Sequence, residues 1–225
     1  MADNKNIPYL GPGKDAGDRK ALEAIGLKMA MTNTPGEVYG EFINGLQPIV
    51  FDVVRKNLNP AFRLLAPSNF EGAQKAGYAP KPEQAEKISE RIKQELDTLY
   101  ADAEFKKLDK PTAIKKVLGK IGETFEKTVK QEGWKEVWAS DKNVGTFKQL
   151  LADPGLIKAM GDIHDFATSK VKPPTKVKPS GNPDRTSKEI KSELQLPPTV
   201  SLAETHEMLT PAISFITSAK GQFLG

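Results

Sequence analysis

The stretch Pro82–Gln131, PEQAEKISERIKQELDTLYADAEFKKLDKPTAIKKVLGKIGETFEKTVKQ, decides how the rest of this chain is read. Ile88, Ile92, Leu96, Leu99 and Ala103 recur at steps of three and four residues before Asp109-Lys110-Pro111. Ile114, Val117, Leu118, Ile121, Phe125 and Val129 do the same after it. Such steps place each set on one face of a 3.6-residue helix, with Lys and Glu covering the other face. Two such helices around a short proline-containing break predict an antiparallel helical hairpin. The expected fold is therefore all-α, an irregular helical bundle built around a long hairpin.

Composition sets the bounds. The chain has 225 residues, 38% of them hydrophobic, with 18 Gly and 17 Pro. Leu, Ile, Val and Phe together number 53, a little above the roughly 20% share at which a chain stops burying enough apolar surface to fold. A folded centre with poorly packed flanks is expected. There are no cysteines, which excludes disulfides, thiolate metal sites and cysteine nucleophiles, and fits a reducing compartment. No secretory signal and no membrane span is expected from the apolar pattern. The net charge of +4 is unevenly spread: Lys170–Lys191 holds seven Lys or Arg against Asp184 and Glu189, which leaves the remaining chain at −1. A near-neutral folded part argues against a basic face that grips nucleic acid.

Outward from the hairpin, six segments are expected. Residues 1–17 form a flexible lead-in, where Gly11-Pro12-Gly13-Lys14 lacks the spacing and the Ser or Thr of a phosphate loop. Residues 18–66 form an N-terminal helical subdomain. Its first helix runs from Asp18 to about Met31, with Leu22, Ile25 and Met29 inward. Its second opens at the capping box Thr34-Pro35-Gly36-Glu37 and carries Val38, Phe42, Ile43, Leu46, Ile49, Val50, Val53 and Val54. Pro48 is expected to kink or split that helix near Gly45, its second half is expected at the centre of the bundle, and Ile49–Val54 also reads as a buried strand. A short helix with Phe62, Leu64 and Leu65 follows Asn59-Pro60.

Residues 67–81 read as a linker. Residues 82–169 form the central bundle, with further helices over Asp141–Leu151 and Asp153–Thr168. Residues 170–200 form a Pro- and Lys-rich linker, with a short helix around Ser187–Leu194. Residues 201–225 hold a terminal helix opened by the capping box Ser201-Leu202-Ala203-Glu204 and interrupted at Pro211.

Chemistry-bearing patterns are few. His164 and His206 are the two histidines, and no zinc-protease, EF-hand or dinucleotide motif occurs. His164 and Asp165 point about 100° apart on a helix and do not face each other, so His164 reads as solvated or half-buried and His206 as part of a solvated face. Glu83 with Lys87, and Arg91 with Glu95, have the spacing of ordinary surface ion pairs. No catalytic residue, cofactor site or metal site is expected. Trp134 and Trp138 stand four apart and share one helical face with Val137 nearby; they serve either as core or as an exposed anchor for a partner protein. Leu209, Ile213, Phe215 and Ile216 make the terminal helix apolar, so it either folds back on its own bundle or binds another chain.

These features point to a non-catalytic adaptor or structural subunit whose partners are other protein subunits. A nucleic-acid-binding accessory protein using the basic linker is the alternative. The length, the Cys-free and Lys-rich helical makeup, and the tail Thr210-Pro211-Ala212-Ile213-Ser214-Phe215-Ile216 together resemble the DotY-like accessory subunits of Dot/Icm type IVB secretion coupling complexes. The resemblance spans the whole chain and brings no motif, so it assigns no residue a role. It implies a cytoplasmic component docked on a membrane-associated coupling ATPase and its adaptors, contributing to effector recruitment.

Overall fold

The computed structural model describes residues 24–57, 67–171 and 202–218, and every regular element among them is helical. Residues 24–30 are helical (α1). Then follow α2 (Pro35–Asn57), α3 (Phe70–Lys75), α4 (Pro82–Ala101), α5 (Lys110–Glu132), α6 (Asp141–Leu151), α7 (Pro154–Ala159), α8 (Gly161–Ser169) and α9 (Leu202–Ser218). Short 3-10 turns lie at Phe105–Lys107 and Val137–Ala139. The segments around Asn59–Leu65 and Ser187–Leu194, the N-terminal lead-in and most of the basic linker lie outside the described residues.

The hairpin of α4 and α5 forms as its periodicity dictates. Ile88, Ile92, Leu96 and Leu99 face Ile114, Val117, Leu118, Ile121 and Val129 in one buried cluster. Lys87 and Arg91 near the start of α4 both reach Glu132 at the end of α5, while Glu95 meets Lys120 at 3.8 Å; the helices are therefore antiparallel. Lys87 and Arg91 thus pair across the hairpin, instead of with Glu83 and Glu95 along α4. The break is also longer than the sequence implies. It spans 102–109, Asp102 accepts a hydrogen bond from Glu104 N at 2.9 Å, and Phe105 folds inward while Ala103 is exposed. Asp109 caps α5 through Thr112 N at 3.2 Å, and Gly133, at φ 65°, ends it.

Helix α2 crosses α4 at close range because Gly36 and Gly40 face it. A Cβ at Gly40 would stand 2.9 Å from both Ser89 Oγ and Lys93 Cε. Asp97 of α4 accepts from Gly36 N at 2.8 Å and from Thr34 Oγ1 at 3.0 Å, so a carboxylate sits at the positive end of α2. The capping box works through Thr34 Oγ1, which accepts from Glu37 N at 3.2 Å, while Glu37 reaches Asn33 N.

The helix continues unbroken through Pro48 and is neither split nor strand beyond it. Before the proline Val38, Tyr39, Phe42 and Leu46 are buried; beyond it, among the side chains described, Ile49 and Phe51 are half-buried. Gly45 serves close packing: a Cβ there would fall 2.2 Å from Ile25 of α1.

Three further departures have local causes. Helix α3 lies inside the expected linker because Asn69 caps it, accepting from Gly72 N at 2.6 Å. The helix expected over Asp153–Thr168 divides at Met160, which lets Leu156, Met160 and Ile163 all point into the core. Helix α9 runs through Pro211 and folds back on this chain. Its Met208, Leu209, Ala212 and Ile213 join the same cluster as α2 and α8, and the Phe215 ring lies over Gly155 of α7, where a Cβ would stand 2.3 Å away. Among the described residues no helix is long and apolar enough to cross a membrane.

Candidate functional site

The densest polar chemistry in the bundle is a buried triad. Tyr39 lies on the apolar stripe of α2, three residues before Phe42. Tyr100 continues the stripe of α4 four residues beyond Leu96, and α8 brings His164 to meet both. Tyr100 Oη stands 2.8 Å from His164 Nδ1 and 3.3 Å from Tyr39 Oη, which is itself 3.3 Å from Nδ1. His164 is 7% exposed, so it is neither solvated nor half-buried; its partners lie too far away in sequence to be read there.

Burial holds the imidazole below its ordinary value of 6.5, opposed by Asp165 and reinforced by Lys110. The neutral ring holds Tyr100 at Nδ1 along the shortest contact, as acceptor or donor according to its tautomer. Burial pushes the Tyr100 phenol up to about 12 and also raises Tyr39 well above its ordinary value, with Tyr100 adding to the latter. All three groups stay uncharged at neutral pH and join α2, α4 and α8. Asp165 is exposed and binds Lys110 Nζ at 2.7 Å.

Lys170, expected as the first residue of a solvated linker, is buried. Its Nζ lies 3.4 Å from the Ala30 carbonyl at the end of α1 and 4.7 Å from the centre of the Phe166 ring. A cation at a helix C-terminus and over an aromatic face is stabilising on both counts. Among the described residues no group of three or more His, Asp or Glu stands close enough together to hold a metal ion.

The residues singled out as partner-binding divide. Trp134 and Trp138 do not share a helix, because Gly133 ends α5; Trp134 lies in extended chain and Trp138 in a 3-10 turn. Their rings still meet, 5.3 Å apart, and Trp138 continues into Phe125 at 6.2 Å. Trp138 is buried, Trp134 is half-buried and Val137 is 51% exposed. Leu209 and Ile213 are fully buried in this chain's own core, with Phe215 and Ile216 packed against it.

Tyr78, which the sequence reading passed over, is exposed beside Val137: Trp138 N donates to the Gly77 carbonyl at 3.3 Å, bringing the two loops together. Gln84 Nε2 donates to Glu136 at 2.9 Å, and Asn143 Nδ2 to the Val137 carbonyl at 2.6 Å. Tyr78 and Val137 thus stand exposed on two loops tied to each other by hydrogen bonds, with the half-buried Trp134 three residues before Val137. Leu27 and Met31, four apart at the end of α1, are a second exposed pair.

No protein-family model matches the chain, and neither a curated protein nor a solved structure matches it.

Proposed function

We propose that this chain is a non-catalytic adaptor or structural subunit of a multi-protein assembly, and that the surface carrying Tyr78 and Val137 seats a protein partner. The observations that carry the reading are the exposure of Tyr78 and Val137 and the hydrogen bonds that tie their two loops together. Exposed apolar and aromatic side chains stand on a base fixed by the Trp138–Gly77, Gln84–Glu136 and Asn143–Val137 hydrogen bonds, so little conformational entropy is lost when a partner covers them. The histidine and both tyrosines of the triad are committed to one another inside the core, which favours a structural role for them. The resemblance in length, composition and tail supports a secretion coupling complex as the assembly, with the chain on its cytoplasmic side.

The test is native affinity capture of the full chain followed by mass spectrometry, run beside a Tyr78→Ser/Val137→Asp double variant. The expected result is a stoichiometric protein partner that the variant loses while its melting temperature stays within about 2 °C of the parent, since the changes are at the surface. Equal capture by both proteins would remove that surface from the reading. Turnover of a small molecule by the purified chain would remove the reading altogether.

A further inference from the structure

A cleft of about 590 Å³ opens between the first turn of α5 and the corner where α7 meets α8. Three lysines line it, Lys110, Lys115 and Lys158, against one carboxylate, Asp162. Lys115 and Lys158 have no carboxylate within ion-pairing distance among the described residues, so their ammonium groups are available to a ligand. Lys110 is placed differently. Its stem crosses Gly161, where a Cβ would lie 3.4 Å from Cε and Nζ, and Asp165 holds its Nζ at 2.7 Å. That bond uses one of three ammonium hydrogens and fixes the other two in position. The remaining wall is apolar: Pro111 and Pro154 are exposed and Ile157 half-buried, over the buried Ile114. Charges backed by such a wall act on a ligand more strongly than charges on an open surface.

We propose that this cleft binds a small phosphomonoester, its phosphate among Lys110, Lys115 and Lys158 and its apolar portion against Pro111, Pro154 and Ile157. The volume falls within the roughly 300–1,000 Å³ of small-molecule pockets. A phosphomonoester carries about 1.5 to 2 negative charges at pH 7, which Lys115 and Lys158 complement directly while Lys110 is shared with Asp165. The apolar wall is what separates this ligand from a bare ion: inorganic phosphate would satisfy the lysines and leave Pro111, Pro154 and Ile157 uncovered. This site is separate from the partner surface and stands whether or not that surface seats a protein.

The experiment titrates the full chain with phenyl phosphate, inorganic phosphate and phenol at constant ionic strength, following backbone amide NMR signals and binding heat. Phenyl phosphate is expected to shift residues 110–115 and 157–162 and to bind about tenfold more tightly than inorganic phosphate, given the apolar area of one ring. Lys115→Gln and Lys158→Gln are each expected to weaken it about tenfold, while Lys106→Gln, in the Phe105–Lys107 turn, leaves it unchanged. Circular dichroism of each variant checks that the fold is kept. The proposal is overturned if sodium chloride reproduces the shifts, if phenol binds as well as phenyl phosphate, or if the two lysine variants bind as the parent does.

Discussion

Replacing Gly36 by alanine puts a methyl group 2.2 Å from the carbonyl oxygen of Lys93 and 2.8 Å from Asp97 Oδ1. Neither neighbour yields cheaply. The first is backbone in the middle of α4, and the second is the carboxylate that accepts from Gly36 N and Thr34 Oγ1 at the head of α2. Alanine gains up to about 1 kcal/mol in helix propensity over glycine. Against that, overpacking costs about 1–3 kcal/mol, and disturbing hydrogen bonds to a carboxylate adds about 1.5 kcal/mol or more. The net expectation is a loss of about 2 kcal/mol. For a protein of this size that is a fall of about 4–8 °C in melting temperature.

Gly119 supplies the control, because it lies in α5 with nothing within 4 Å of where its Cβ would be. Gly119→Ala therefore gains the propensity term alone, about 0.5–1 kcal/mol. Urea unfolding of both variants, with midpoints compared at equal slope, measures the two effects. A Gly36→Ala protein as stable as the parent, or a Gly119→Ala protein that loses as much, would refute the claim that close approach of α2 to α4 is what requires glycine.

The triad predicts an acid dependence. The folded-state pKa of His164 lies below 6.5, so the stability it contributes is fully present above 6.5 and is lost as pH falls through 6.5 toward the folded value. Denaturation midpoints from pH 7.5 down to 5 should show this slope, and His164→Gln should flatten it; an unchanged slope would mean another group carries it. Tyr100→Phe removes the shorter bond to Nδ1 and should cost about 1 kcal/mol, because Tyr39 Oη at 3.3 Å remains as a partner. A loss above about 3 kcal/mol would show that Tyr39 does not take over.

At lower pH a second group enters. Hydrogen bonds from Lys130 and Lys148, with their charges, hold Glu126 down to about 2, so its contribution is present above about 4.5 and lost as pH falls from there toward 2. Glu126→Gln should reduce the pH dependence between 4.5 and 2.5 and lower stability at pH 7 by the same amount, a small one because these pairs are exposed. Finally, Gly155→Ala should displace the Phe215 ring and speed hydrogen exchange in α9 well before the hairpin is affected. Uniform exchange changes across the chain would argue against that separation.

The hairpin was legible because α4 and α5 each bury one stripe, and a stripe at 3.6-residue spacing is a local property of sequence. The caps Asp153 and Thr34 were legible for the same reason, each acting within three residues of itself. The triad was not: Tyr39, Tyr100 and His164 are 61 to 125 residues apart, and only the crossing of α2 over α4 and α8 unites them. Both tyrosines did lie on apolar stripes, a signal of burial though not of partnership. Pro48 and Pro211 misled because a proline removes one helical hydrogen bond, and helices held by packing on both sides continue past that loss. Lys170 misled because composition placed it with the basic segment, whereas the Ala30 carbonyl and the Phe166 ring draw it inward.

Helix α9 is the last of the described helices to leave the ribosome, yet it covers surfaces of α2, α7 and α8 made much earlier. Until Leu209, Ile213 and Phe215 emerge, the notch at Gly155 and the apolar faces around it stand open to water. The core that α9 covers therefore cannot close until that helix has left the ribosome. That interval is when the nascent chain depends most on a chaperone or on dilution.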